Sequence, residues 1–277
     1  MNCWPGHRLA SLRSGISEGS SITKANHVVP CARLGNDGPL GDKGFELHDV
    51  WGTGASGAFS PDNWGSAVLH CDGSSWSSIN VLADHFANAP GACSPECNPP
   101  SINLQGVSGT GPSDVLIVGY DTDLDASVIL HFDGTTWFAV FTGASASLSA
   151  VREVSSTNIV AVGWDYDANQ NQVGAVVCYD GSNWWETSGA DAGAQGGLPM
   201  PLHHVWGADS LSVVAVDESG LVQHNDNGSL WSPLCGSPPG VPPLYGVWGS
   251  AASDLYAVGD PLPDGSQYIL HLLTLAK

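Results

Sequence analysis

Apolar and polar residues along the chain alternate in short bursts bounded by turn residues, and no stretch holds a helical period. The bursts repeat. LYGVWG at 244–249 is followed by DLYAVG at 254–259 and then by ILH at 269–271. LQGVSG at 104–109 runs into DVLIVG at 114–119, ILHFDG at 129–134 and Trp137. LSAV at 148–151 leads to NIVAVG at 158–163, VCYDG at 177–181 and Trp184; LHHVWG at 202–207 leads to VVAV at 213–216, Asn227-Gly228 and Trp231. A more degenerate copy opens with LHDVWG at 47–52 and closes with LHCDG at 69–73 and Trp76. In three copies the first Leu and the Gly after the second segment stand 15 apart (104 and 119, 148 and 163, 244 and 259), and in a fourth Asp217 takes the Gly place. A register this constant marks an internal repeat.

Copies start at 47, 104, 148, 202 and 244. Each holds three or four strand-length segments, A to D, rich in Val, Ile and aromatics. Asp-Gly before the late Trp (Asp72-Gly73, Asp133-Gly134, Asp180-Gly181) predicts a tight C–D hairpin, because Gly supplies the positive φ such turns need. Units of roughly 40–50 residues with four strands and a late Trp predict propeller blades. The expected fold is all-β: a five-bladed propeller of four-stranded antiparallel meanders over residues 44–277, preceded by a non-repeat segment at 1–43. Six blades, using 1–43 as a partial blade, is the alternative. Trp51, Trp206, Trp248 and the segment-D tryptophans are expected to pack between blades. The last copy lacks its Asp-Gly-x-x-Trp hairpin, so part of residues 20–43 is expected to supply its missing outer strand.

These residues resemble the bacterial secreted β-propeller repeat proteins with a Val-Trp-Gly, Ala-Val-Gly, Leu-His-x-Asp-Gly-x-x-Trp pattern. They are distantly similar to Asp-box repeats through DNGSLW at 226–231. The resemblance covers about residues 44–277. It implies the propeller fold and an extracellular, periplasmic or cell-surface location, and it brings no common activity and no catalytic residues.

The chain has 277 residues, with Gly 35 and Pro 18, as a turn-rich β protein requires. Its apolar runs are strand-length, so no membrane span is expected, and no secretion signal is visible. The formal net charge is −20. Residues 1–43 hold five bases (Arg8, Arg13, Lys24, Arg33, Lys43) against three acids, whereas the rest holds two bases against 24 acids. So acidic a surface repels phosphate backbones and argues against nucleic acid. Of seven cysteines, Cys93 and Cys97 suit a local crosslink in a Pro-rich insertion, and Cys71 and Cys178 fall in segment C as small buried side chains.

In such a meander the B–C and D–A connections share one end of each sheet and the A–B and C–D turns the other. The first end carries nearly all the length variation, at 83–103, 121–127, 165–173, 187–201 and 260–266. Binding residues usually sit where a rigid scaffold varies its loops. Two of these loops alternate hard oxygens: Asp121, Asp123 and Asp125, and Asp165, Asp167 and Asn169. That pattern suits Ca2+; a solvated turn in which Asp and Asn satisfy their own backbone is the alternative. His48 and His203 share one repeat position, with Asp49 and His204 following. Converging imidazoles could hold a transition metal, although Gln105, Ser149 and Tyr245 fill that position elsewhere. Arg152, the one base between Lys43 and Lys277, takes the place of the segment-A Trp beside Glu153; it reads as an internal ion pair or as an anchor for a ligand carboxylate. Tyr120, Trp164, Trp185 and Tyr245, near acidic loops, suit stacking on a sugar or packing between blades.

No Gly-x-Ser-x-Gly elbow, His-Glu-x-x-His helix, phosphate loop or dinucleotide fingerprint is present. The expected function is therefore binding of a ligand, a carbohydrate first, by a monomeric secreted propeller. The rivals are an enzyme on the same face (a carboxylate-based glycoside hydrolase or lyase, or a metal-dependent oxidoreductase at the channel mouth) and a protein-interaction scaffold.

Overall fold

A computed structural model describes residues 7–13, 47–54, 57–62, 67–81, 102–143, 145–188, 198–209, 212–220, 222–225, 231–233 and 241–274. They form twenty strands in five four-stranded sheets. The first sheet runs β2 (Trp51–Gly52), β3 (Ala58–Pro61), β4 (Ala67–Cys71), β5 (Trp76–Asn80). The second runs β6 (Ile102–Gly111), β7 (Asp114–Asp121), β8 (Ala126–Phe132), β9 (Trp137–Thr142). The third runs β10 (Ser147–Ser155), β11 (Asn158–Tyr166), β12 (Gln172–Tyr179), β13 (Trp184–Ser188), and the fourth β14 (Leu202–Gly207), β15 (Val213–Asp217), β16 (Val222–Asn225), β17 (Trp231–Pro233). The fifth runs β18 (Leu244–Ala251), β19 (Asp254–Gly259), β20 (Tyr268–Thr274) and β1 (His7–Arg13).

The fold is the expected all-β propeller of antiparallel sheets. Two details differ from expectation. Only four sheets, not five, are complete meanders of consecutive strands; the three strands of the last repeat are completed by β1. That strand comes from residues 7–13, not 20–43, pairing Arg8 with Leu273 and Arg13 with Tyr268, so the N-terminal segment joins the last sheet and the six-blade alternative loses its partial blade. Residues 20–43 lie outside the described residues, as do Cys93, Cys97 and the insertion at 83–101.

The chain divides into two compact units, residues 23–153 and residues 1–22 with 154–277. In the first, Leu104, Ile117, Leu130 and Trp137 form a core with Phe59 and Val68. In the second, Trp206, Val216, Leu244, Val247, Leu270 and Leu272 do so. Both cores are made by alternate residues of neighbouring sheets, as a period of two dictates.

The 15-residue spacing is the register of the A–B hairpin. Leu104 pairs with Gly119, Leu202 with Asp217 and Leu244 with Gly259. Leu104, Leu148, Leu202 and Leu244 are all completely buried, whereas Leu47 of the degenerate copy is 40% exposed and makes only an isolated bridge to Asp62. Strand A of that copy accordingly shrinks to two residues, and His48 lies outside it, exposed.

The Val-Trp-Gly pattern is a joint between neighbouring sheets. The Trp51 ring packs on Gly109, 2.8 Å from where a Cβ would stand, and the Trp206 ring packs on Gly249, 3.0 Å from where its Cβ would stand. Each Trp of one sheet thus covers the Gly of the next. Trp248 holds the same register as Trp206 but stands 62% exposed, so the expectation that it packs between blades is not met within its unit.

The Asp-Gly turns form as expected, with Gly73, Gly134 and Gly181 at φ of 96°, 94° and 92°. In each, the Asp Oδ1 accepts two backbone N–H groups: from Ser74 and Ser75 to Asp72, from Thr135 and Thr136 to Asp133, and from Ser182 and Asn183 to Asp180. Such donors favour the carboxylate. The Ser75 and Ser74 amides first hold Asp72 down at about 2, and the Thr135 hydroxyl and the Thr136 amide do so for Asp133. The depressed values put this stability above the ordinary carboxylate pKa and remove it as pH falls toward 2. Thermal melting should therefore drop steeply between pH 4 and pH 2, and substituting Asn at both Asp72 and Asp133 should flatten that drop.

Cys178 is a buried free thiol pushed by burial up to about 12, the inert small side chain expected of it. Cys71 is buried too, but it is disulfide-bonded and not a free thiol.

Candidate ligand-binding end

The repeat position that carries His203 and Tyr245 has a distinct backbone. In β14, pairing passes from Leu202–Asp217 directly to His204–Val216; in β18 it passes from Leu244–Gly259 to Gly246–Val258; in β6 it passes from Leu104–Gly119 to Gly106–Val118. The residue skipped each time (His203, Tyr245, Gln105) is the extra residue of a β-bulge. A bulge re-aims the side chain it carries, so the fold builds one presenting position into strand A and the sequence varies what stands there.

Within the unit of residues 154–277, two bulge residues meet. The rings of His203 and Tyr245 have centroids 4.8 Å apart at 58°. His203 Nε2 lies 3.4 Å from Glu218 Oε1. Tyr245 donates its hydroxyl to Asp260 Oδ2 at 3.3 Å. Glu218 comes from the β15–β16 turn and Asp260 from the β19–β20 loop, both at the B–C end. Asp217 beside them is fully buried and accepts the Ser219 amide at 2.9 Å and its hydroxyl at 2.6 Å; it is the scaffold of the turn rather than part of its exposed surface.

The electrostatics suit a neutral aromatic platform ringed by acids. Burial lowers the His203 pKa against the opposing pull of Glu218, so the imidazole is neutral at pH 7. Burial, then Asp260 and Glu218, raise the Tyr245 phenol. Tyr245 is 46% exposed, leaving a ring face to solvent between two carboxylates.

The other expected site residues divide by position. At the B–C end of the second sheet, Tyr120 donates to Asp125, and Asp121 is buried, accepting the amides of Asp123 at 2.9 Å and Leu124 at 3.0 Å. In the third sheet Asp167 Oδ1 accepts the amides of Asn169 and Asn171, both at 2.8 Å, and Asp165 Oδ1 accepts that of Tyr166 at 2.7 Å. Asp125 and Gln170 take left-handed backbone at these turn tips, with φ of 54° and 65°. Asp121, Asp165 and Asp167 thus each accept amides of their own loop. Among the described residues no group of three or more His, Cys, Asp or Glu side chains converges as a metal would need.

Trp164 is half-buried and edge-on to Tyr166 at 5.3 Å. Trp185 is opposite Cys178, four residues along β12 from Gly174, the partner of Trp164. That separates the two indoles by about 13 Å of strand and places Trp185 toward the C–D turn, away from the loops it was expected to join. Arg152 stands close to the A–B turn of its own sheet, beside Glu153. His204 follows the bulge and returns to the ladder opposite Val216. Two histidines of segment C reach an aspartate of the neighbouring strand: His131 Nε2 lies 2.7 Å from Asp114 Oδ1, and His271 Nε2 2.7 Å from Asp254 Oδ1.

Glu218 is the site residue that sequence reading passed over. Its signal was the break in the repeat immediately before it, where Asp217 replaces Gly.

No protein-family model and no curated protein matches the chain. Among solved structures, YCF48 from Cyanidioschyzon merolae aligns at 11% identity and a TM-score of 0.49, covering 83% of this chain and 70% of that one. The WD40 β-propeller domain of Doa1 aligns at 11% identity and 0.40, covering 85% and 95%. Virginiamycin B lyase from Staphylococcus aureus aligns at 6% identity and 0.36, covering 97% and 100%.

Proposed function

We propose that this protein is an extracytoplasmic propeller that binds a carbohydrate at the B–C end of its sheets, with the exposed ring of Tyr245 as stacking platform. The observation that carries this reading is the meeting of two bulge residues, His203 and Tyr245, between the carboxylates of Glu218 and Asp260. A sugar presents an apolar ring face and a rim of hydroxyl donors. Tyr245 matches the first, and the two carboxylates, acceptors only when ionised, match the second. A neutral His203 adds a ring nitrogen of either sense.

A glycan array probed with the full chain tests the proposal. Wild-type protein is expected to retain a small related set of glycans, and Tyr245→Ala is expected to lose at least tenfold in affinity for them. Tyr245 is exposed, so its replacement leaves the core intact and melting should move by no more than a few degrees. Retention of the same glycans by Tyr245→Ala at unchanged affinity would overturn the reading.

A further inference from the structure

The rule that a Trp of one sheet covers a Gly of the next is broken between the second sheet and β10. Ser108 stands in the Trp place and Glu153 in the Gly place. The exchange is complementary: at this joint a small side chain leaves open the space equivalent to the one Trp51 fills over Gly109, and the Glu153 side chain takes the place of the covered Gly. Both residues are buried, Ser108 at 2% and Glu153 at 4% exposure, and the Glu153 amide donates to Ser108 Oγ at 3.1 Å. The Glu153 carboxyl is hydrogen-bonded to the Asp114 carboxyl, and its Oε2 is buried with no hydrogen-bond partner among the described residues.

An ionised, unpartnered oxygen in such a place is costly. Two adjacent carboxyls cannot both ionise cheaply, and a shared proton resolves this. The groups facing the pair are few. Asp114 also receives the Thr110 hydroxyl and has His131 at 2.7 Å. Arg152, half-buried on the same strand as Glu153, is the one base that opposes the effect.

We propose that the Glu153–Asp114 pair is a pH-operated latch between the second sheet and β10, closed in acid by a shared proton and loosened when both carboxyls ionise. Burial first, then the charge of Asp114, raise Glu153 from 4.5 to about 7. Below pH 4.5 the group carries no folding penalty. The penalty grows as pH rises from 4.5 to 7 and is complete above that. Its direction is opposite to that of the turn aspartates, which lose stability in acid.

Urea unfolding of the full chain and of Glu153→Gln, at pH 5 and pH 8, tests the latch. The amide keeps the shape and the hydrogen bond but cannot ionise. The ratio of folding constants, Glu153→Gln over wild type, is expected to rise roughly tenfold or more from pH 5 to pH 8. An equal ratio at both pH values would overturn the proposal. Should Glu153→Gln not fold, the wild type still decides by carbon-detected titration of the Glu153 carboxyl. A midpoint near neutrality, with protection of the Glu153 amide falling relative to that of Val247 as it is crossed, supports the latch. A midpoint in the ordinary glutamate range, or protection that does not change with it, removes it.

Discussion

Deleting residues 1–13 is expected to lower the melting temperature by roughly 10 °C and to make the chain associate. The fifth sheet has only three consecutive strands, and β1 pairs with β20 over seven residues, from His7–Thr274 to Arg13–Tyr268. At about 1 kcal/mol per backbone bond, reduced by the entropy of ordering the segment, the ladder contributes about 3 kcal/mol. For a chain of this length that corresponds to roughly 10 °C. The association follows from what is uncovered: without β1 the outer side of β20 is an open strand edge, a template for another chain. Melting and light scattering of the truncated chain read both effects. Unchanged melting would mean that the N-terminal strand is not part of the folded sheet.

The second large effect is expected at Gly119. A Cβ there would stand far inside van der Waals contact with the Asn103 carbonyl oxygen, and 3.0 Å from the Leu104 Cα. Gly259 meets the Pro243 carbonyl in the same way. This is backbone, not the end of a flexible side chain, so strand A must move away from strand B to admit even a methyl group. Gly119→Ala should cost about 3 kcal/mol, the upper part of the range for overpacking. Gly111→Ala, where a Cβ has nothing within 4 Å, supplies the control: its unfolding midpoint should match the wild type within error. Equal midpoints for the two variants would show that the Leu–Gly spacing has another origin.

How much of this was legible in the sequence depended on which physical constraint left a mark. Strand positions were readable because Leu104, Leu148, Leu202 and Leu244 are core residues at a constant register. The C–D turns were readable because Gly73, Gly134 and Gly181 each need positive φ. The bulges were not, because the extra residue differs from copy to copy and becomes visible only when pairing is known. His203 and Tyr245 were therefore seen as occupants of one position but not as neighbours. The borrowed strand was expected too far along the chain: HRLASLR at 7–13 offers only a brief alternation among polar residues. Alternating Asp in 121–125 reads as a cation loop, and the sequence does not reveal that Asp121 also accepts the amides of Asp123 and Leu124. Arg152 and Glu153 were noticed as a departure from the pattern. What the departure does depended on Ser108, which lies 45 residues away in the chain.

The claim on which the functional account rests is that ligand meets the protein at the bulge residues of the B–C end. Backbone chemical-shift mapping of the full chain, with the glycan retained most strongly on the array, tests it most directly. The account predicts shifts gathered at His203, Glu218, Tyr245 and Asp260. Shifts gathered instead around Trp185, Arg152 and the Asp-Gly turns would place binding at the opposite end and contradict it.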